Sequence, residues 1–97
     1  MWILQSSEAT FRLAPGAIKT VGRVAGADFI LDVALVSRLH CRLTAGADTL
    51  DVVDLESTNG TYVNDKRVDA ARLGVGDRLR IGRVELTVKR QQTMAEG

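Results

Sequence analysis

What most limits the fold of this chain is a hydrophobic alternation of period two that is interrupted every few residues. In "RLRIGRVELTVKR", Leu79 and Ile81 share one face, and Val84, Leu86 and Val88 share the core face after Gly82-Arg83 resets the parity. That pattern is a hairpin signal. "LHCRLT" sets Leu39, Cys41 and Leu43 against His40, Arg42 and Thr44, and "TLDVVD" sets Leu50 and Val52 against Asp51 and Val53. Nearer the start, "WIL", "TFRL", "IKTVGR" and "DFILD" are short and rich in β-branched or aromatic residues, and "SSEA", "APG" and "VAGA" separate them. The breaks come too often for helices. Short half-buried strands joined by turns predict an all-β sandwich or barrel.

The 97 residues fit one domain and leave no room for a second core of similar size. A hydrophobic share of 45% with 26% charged residues is that of a chain able to fold alone. With 13 Lys and Arg against 12 Asp and Glu, the net charge is +1, too little to draw nucleic acid or an anionic membrane without sequence preference. Aromatic residues at 4% offer few platforms for stacked bases. Any anion site must therefore be local. One cysteine cannot form an internal disulfide, no secretory leader is evident, and no apolar run approaches the roughly 18 residues of a membrane span, so a cytoplasmic location without membrane association is expected. The final "QQTMAEG" lacks pattern, which sets the domain at 1–89 and a polar tail or linker start at 90–97.

Polar groups concentrate in two places. In "VSRLHC", Ser37, Arg38 and His40 precede a strand whose outward face is expected to begin at His40. A Ser three residues before a His raises the possibility of a nucleophile and its base. However, no G-x-S-x-G elbow surrounds Ser37 and no residue is placed to orient the His, so the pair is not read as catalytic. His40 is better explained as a brace for backbone groups, and Cys41 as a small core residue. Adjacent His and Cys on a strand point to opposite faces, which excludes a metal site there. The second place is "DLESTNGTYVN", where Ser57, Thr58 and Thr61 crowd an Asn59-Gly60 turn that needs none of their hydroxyls.

Taken in order, "VGR", "DFILD", "VSRLHCRL", "DLESTNGTYVN" and "LGVGDRLRIG" closely resemble the forkhead-associated (FHA) domain, a phosphothreonine-peptide-binding module, over about Trp2 to Lys89. The resemblance implies a sandwich of two twisted antiparallel sheets with about eleven short strands and the binding loops at one end. It implies that Arg23, Ser37 and Thr58 bind the phosphate, that Arg38 adds a second cation or a backbone contact, and that Asn59 holds the peptide main chain. Gly22, His40 and Gly60 then serve as architecture, and Ser57 and Thr61 shape the loop. Residues before the Ser read the peptide position three after the phosphothreonine, so Leu35, with Ala34 and Val36, implies an apolar residue there. Asn64 is a further peptide contact in the family, although its place in a turn with Asp65, where the family has Gly, explains it as well. A phosphothreonine carries roughly −1.5 to −2 charges and three acceptor oxygens, which matches one guanidinium and two hydroxyls. The implied partner is a phosphothreonine-bearing protein, the substrate of a Ser/Thr kinase, bound by a monomer with no cofactor and no catalysis. A phospho-independent assembly domain of the same fold is the alternative, and retention of both Arg23 and Ser37 argues against it.

Overall fold

In the computed structural model, which describes residues 1–91, alternating burial follows the strand pattern closely. The strands are β1 (Trp2–Gln5), β2 (Thr10–Leu13), β3 (Ile18–Gly22), β4 (Phe29–Ile30), β5 (Cys41–Ala45) and β6 (Leu50–Asp54), followed by β7 (Thr61–Val63), β8 (Lys66–Val68), β9 (Ala70–Leu73), β10 (Arg78–Ile81) and β11 (Val84–Arg90). They form a six-stranded sheet in the order β2-β1-β11-β10-β7-β8 and a five-stranded sheet in the order β4-β3-β5-β6-β9. The eleven strands and two sheets are those expected from the sequence. One edge pair differs in direction. Val21 and Gly22 run parallel to Phe29 and Ile30, because the segment between them crosses over instead of forming a hairpin.

The inward faces bury one continuous core. Trp2, Leu4, Leu13, Leu79, Ile81, Val84, Leu86 and Val88 from the larger sheet meet Val21, Cys41, Leu43, Leu50, Val52 and Leu73 from the smaller. Phe11 and Phe29 stack with centroids 4.5 Å apart, tying the outer strands of the two sheets together. Burial raises the Cys41 thiol to about 12, with the charge on Asp54 adding to the shift, so it is an inert core residue.

The turns follow their residue chemistry. Gly82-Arg83 joins β10 to β11 with Ile81 opposite Val84, as the parity reset predicts. Asn64 and Asp65 both adopt positive φ, 50° and 70°, so the β7–β8 hairpin forms on the Asn-Asp pair without the family's Gly. At the C-terminal end, β11 runs through Arg90 and the Gln91 N–H donates to the Met1 carbonyl at 2.9 Å. The rest of the expected tail, including Thr93, lies outside the described residues.

One expectation reverses. His40 is fully buried, whereas Leu39 is 46% exposed, the opposite of the alternation read from "LHCRLT". The reason is local: β5 begins only at Cys41, and residues 38 and 39 form a bend, so period two does not extend back to them.

Candidate phosphate and peptide site

At one end of the sandwich, the segments 32–37 and 58–59 and the end of β3 enclose a cleft of about 420 Å³ lined by Arg23, Asp32, Leu35, Ser37, Thr58 and Asn59, among others. It is built from the backbone outward. The Arg23 N–H donates to the carbonyls of both Ser37 and Arg38 at 3.0 Å, and the His40 N–H donates to Val21 at 2.8 Å. These bonds pin the 37–40 segment against the end of β3. Contact is so close at Gly22 that a Cβ there would be driven into the Arg38 carbonyl, so the absent side chain is what lets the two backbones meet.

Each group expected to hold phosphate is positioned through one atom and keeps others unspent. The Arg23 Nε donates to the Val36 carbonyl at 3.0 Å, which aims the guanidinium into the cleft with both Nη groups unengaged among the described residues. The Ser37 Oγ accepts the Thr58 N–H at 2.9 Å, so its own proton is free to be donated. This bond also joins the two loops directly. The Thr58 hydroxyl has no protein partner among the described residues, and Thr58 is exposed. Asn59 Nδ2 donates to the Leu35 carbonyl at 3.1 Å, leaving its Oδ1 to accept. That bond helps hold Leu35 at φ 75°, a left-handed conformation unusual for a branched side chain, with the side chain 53% exposed at the cleft.

Beneath the loops lies a buried polar cluster. Among the described residues, the buried polar side chains are His40, Ser57 and Thr61. His40 Nδ1 accepts the Ser37 N–H at 3.0 Å and its Nε2 lies 2.8 Å from the Gly60 carbonyl, so the imidazole bridges the two recognition loops as the tautomer protonated at Nε2. Ser57 Oγ donates to Asp54 Oδ1 at 2.6 Å and accepts the Gly60 N–H at 3.0 Å, while Thr61 Oγ1 donates to the same Asp54 oxygen at 2.7 Å. The extra hydroxyls of "STNGT" thus divide: those of Ser57 and Thr61 face inward onto a carboxylate, and that of Thr58 faces out. Partial burial alone would raise the Asp54 carboxyl, but donation from the Ser57 and Thr61 hydroxyls and the Ser57 amide, with nearby His40, holds it below its usual value. Gly60 has φ 90°, a conformation that favours glycine, and a Cβ there would lie 2.8 Å from the Nε of Arg67, whose flexible side chain packs over it.

Two residues expected near the peptide stand elsewhere. Arg38 is exposed but does not line the cleft, its carbonyl rather than its guanidinium bracing the site. Asn64 lies at the far end of β7, where Nδ2 donates to Asp77 at 3.1 Å and Oδ1 accepts the Arg78 N–H at 2.9 Å. Asp54 and Asp32 were missed by sequence reasoning. The D-x-x-S spacing from Asp54 to Ser57 was the available signal for the first, since a carboxylate three residues before a Ser can close a turn on it. Nothing in the sequence distinguished Asp32 from a surface carboxylate.

Comparison with known proteins agrees with this architecture. The FHA domain family matches residues 19–82. An ABC transporter ATP-binding/permease protein of Mycobacterium tuberculosis is 40% identical over 86 residues, covering 89% of this chain and 10% of that protein. The glycogen accumulation regulator GarA of Mycobacterium tuberculosis is 43% identical over 70 residues, covering 72% of this chain and 43% of GarA. The chain therefore spans less than half the length of these relatives. A solved structure from a structural and functional study of phosphothreonine-dependent FHA domain interactions superposes with a TM-score of 0.85 at 34% identity, covering 95% of this chain and 98% of that one. The matched segment contains Arg23, Ser37, His40, Thr58, Asn59 and Gly60, and the chain belongs to the FHA domain family.

Proposed function

We propose that this domain binds phosphothreonine-containing segments of a partner protein and performs no catalysis. The observation that carries this reading is the convergence of the Arg23 guanidinium and the Ser37 and Thr58 hydroxyls on one cleft, each with donor capacity left over after its structural bond. A dianion accepts from all three. The free Oδ1 of Asn59 accepts a peptide N–H and its remaining amide proton donates to a peptide carbonyl, which sets the main chain beside the phosphate. Leu35, with Val33 and Ala34, gives the cleft an apolar wall and favours an apolar side chain three residues after the phosphothreonine. A nucleophilic role for Ser37 is disfavoured because His40 Nδ1 accepts its main-chain N–H and not its hydroxyl.

Hydrogen bonds to a charged group contribute roughly 1.5 to 3 kcal/mol each and are offset in large part by the cost of association, so the affinity expected for a short peptide is modest, about micromolar. The partner is the product of a Ser/Thr kinase, met in the cytoplasm by one copy of the domain. Calorimetric titration with a phosphothreonine peptide and with its unphosphorylated counterpart tests the proposal. Micromolar binding of the first and none of the second is expected, and equal binding of both would refute it.

A further inference from the structure

The outward face of the six-stranded sheet is far from neutral, although the chain as a whole is nearly so. It carries Arg12, Arg67, Arg78, Arg80 and Lys89 against the single carboxylate of Glu85. Two of these cations are already engaged, Arg78 by Asp65 at 3.8 Å and Lys89 by Gln5 at 3.0 Å. Arg67 and Arg80 are not, since the ion pairs among the described residues involve Arg72, Arg78 and Arg90. Their arrangement is specific. Register puts Arg67 opposite Tyr62, Tyr62 opposite Arg80 and Arg80 opposite Glu85, so the first three side chains form one row across β8, β7 and β10 that Glu85 closes on β11 without an ion pair to Arg80 among the described residues. The Arg80 guanidinium lies over the Tyr62 ring at 4.1 Å from its centroid, which fixes its plane without using its N–H donors.

The row starts at the recognition loop. Arg67 packs over Gly60, the residue after Asn59, so the first unpaired guanidinium stands one residue from the peptide-holding amide. The 32–37 wall of the cleft bears Asp32 instead, which repels acidic flanking residues on that side. We infer that the Arg67–Tyr62–Arg80 row is a second docking surface, which takes an acidic, unphosphorylated stretch of the same polypeptide that carries the phosphothreonine. Two guanidinium forks spaced by strands suit carboxylate side chains along an extended chain, because each fork can donate two parallel N–H bonds to one carboxylate. The inference rests on the phosphothreonine reading, but its test separates the two.

The experiment uses the whole chain and three kinds of fluorescent peptide, measured by anisotropy at low salt. These are a phosphothreonine peptide with neutral flanks, the same peptide with a short glutamate tract joined before or after it through a Gly-Ser linker, and the tract alone. In the unmodified protein, one of the two tract-bearing peptides is expected to bind about fivefold to tenfold more tightly than the neutral one, with the advantage shrinking as salt is added. Arg80→Glu, which touches no recognition loop, is expected to remove that advantage and leave the neutral phosphopeptide unchanged, and Arg67→Gln to reduce it. Equal affinity for the neutral and both tract-bearing peptides would overturn the inference, as would an advantage that survives Arg80→Glu. Co-sedimentation with phosphatidylserine vesicles that Arg80→Glu abolishes, without any tract advantage, would assign the row to lipid and likewise overturn it. If the calorimetric titration finds the phosphopeptide binding no better than its unphosphorylated counterpart, the phosphothreonine reading fails instead, an outcome visible before any tract is compared.

Discussion

Arg23 sits where a strand ends, and its backbone and side chain have separate duties. The main-chain N–H fastens the 37–38 carbonyls, and the Nε fastens Val36, so the guanidinium is oriented before any ligand arrives. Because the side chain itself is exposed, Arg23→Ala is expected to cost about 1 kcal/mol of stability or less while abolishing measurable phosphopeptide binding. Calorimetry together with a thermal melt checks both halves, and binding at the level of the unmodified protein would show that the phosphate lies elsewhere. Gly22 marks a different kind of residue, one defined by what it lacks. Any side chain there would push the 37–40 segment off the sheet and take Ser37 with it.

Among the elements, the loop from Ser57 to Gly60 owes its shape to a carboxylate at the end of β6. Asp54 gathers two hydroxyls and an amide, and Ser57 passes the constraint to the Gly60 N–H. Asp54→Asn, which replaces charge-assisted bonds with neutral ones, is expected to lower stability by roughly 1 to 3 kcal/mol and to weaken phosphopeptide affinity. Amide exchange at Gly60 reports the effect directly, and unchanged protection there would show that the loop holds without the carboxylate. This cluster also shows what the sequence could convey. Strand positions and hairpin turns were legible because they depend on period and turn chemistry, and the grouping of Arg23, Ser37, Thr58 and Asn59 was available only through the family resemblance that the ordered motifs carry. The orientation of His40 was not, since it depends on where β5 starts, and alternation carries no information about its own first residue. The part played by Asp54 was only half visible. Its bond to Ser57 was signalled by the D-x-x-S spacing, whereas Thr61 meets it across a loop whose path only the tertiary structure reveals, and the parallel pairing of β4 with β3 depends likewise on a crossover, not on either strand's pattern.

For the whole molecule, the fold carries its polar anchors at the ends of a dry sandwich, and several are aspartates that the native state holds ionised. The Thr20 amide and hydroxyl lower the Asp28 carboxyl, the Gly74 and Asn64 amides lower that of Asp77, and Asp54 is lowered against the opposing effect of its own partial burial. With folded-state values below the usual 3.8, the unfolded chain binds protons more readily in acid. The stability these groups confer is fully present above that value and is lost as the pH falls below about 4 through the depressed range. Thermal melts across pH should show a declining midpoint in that window, shallower in Asp77→Asn, and an unchanged slope in that variant would remove Asp77 from the account. The bond from the Thr58 amide to the Ser37 hydroxyl oxygen has a consequence of another kind. Because the chain's own groups latch the two loops together, a peptide does not have to supply the link between them. Encounter then proceeds at the roughly 10⁵–10⁷ M⁻¹s⁻¹ of preformed surfaces, and partners are told apart by how long they linger.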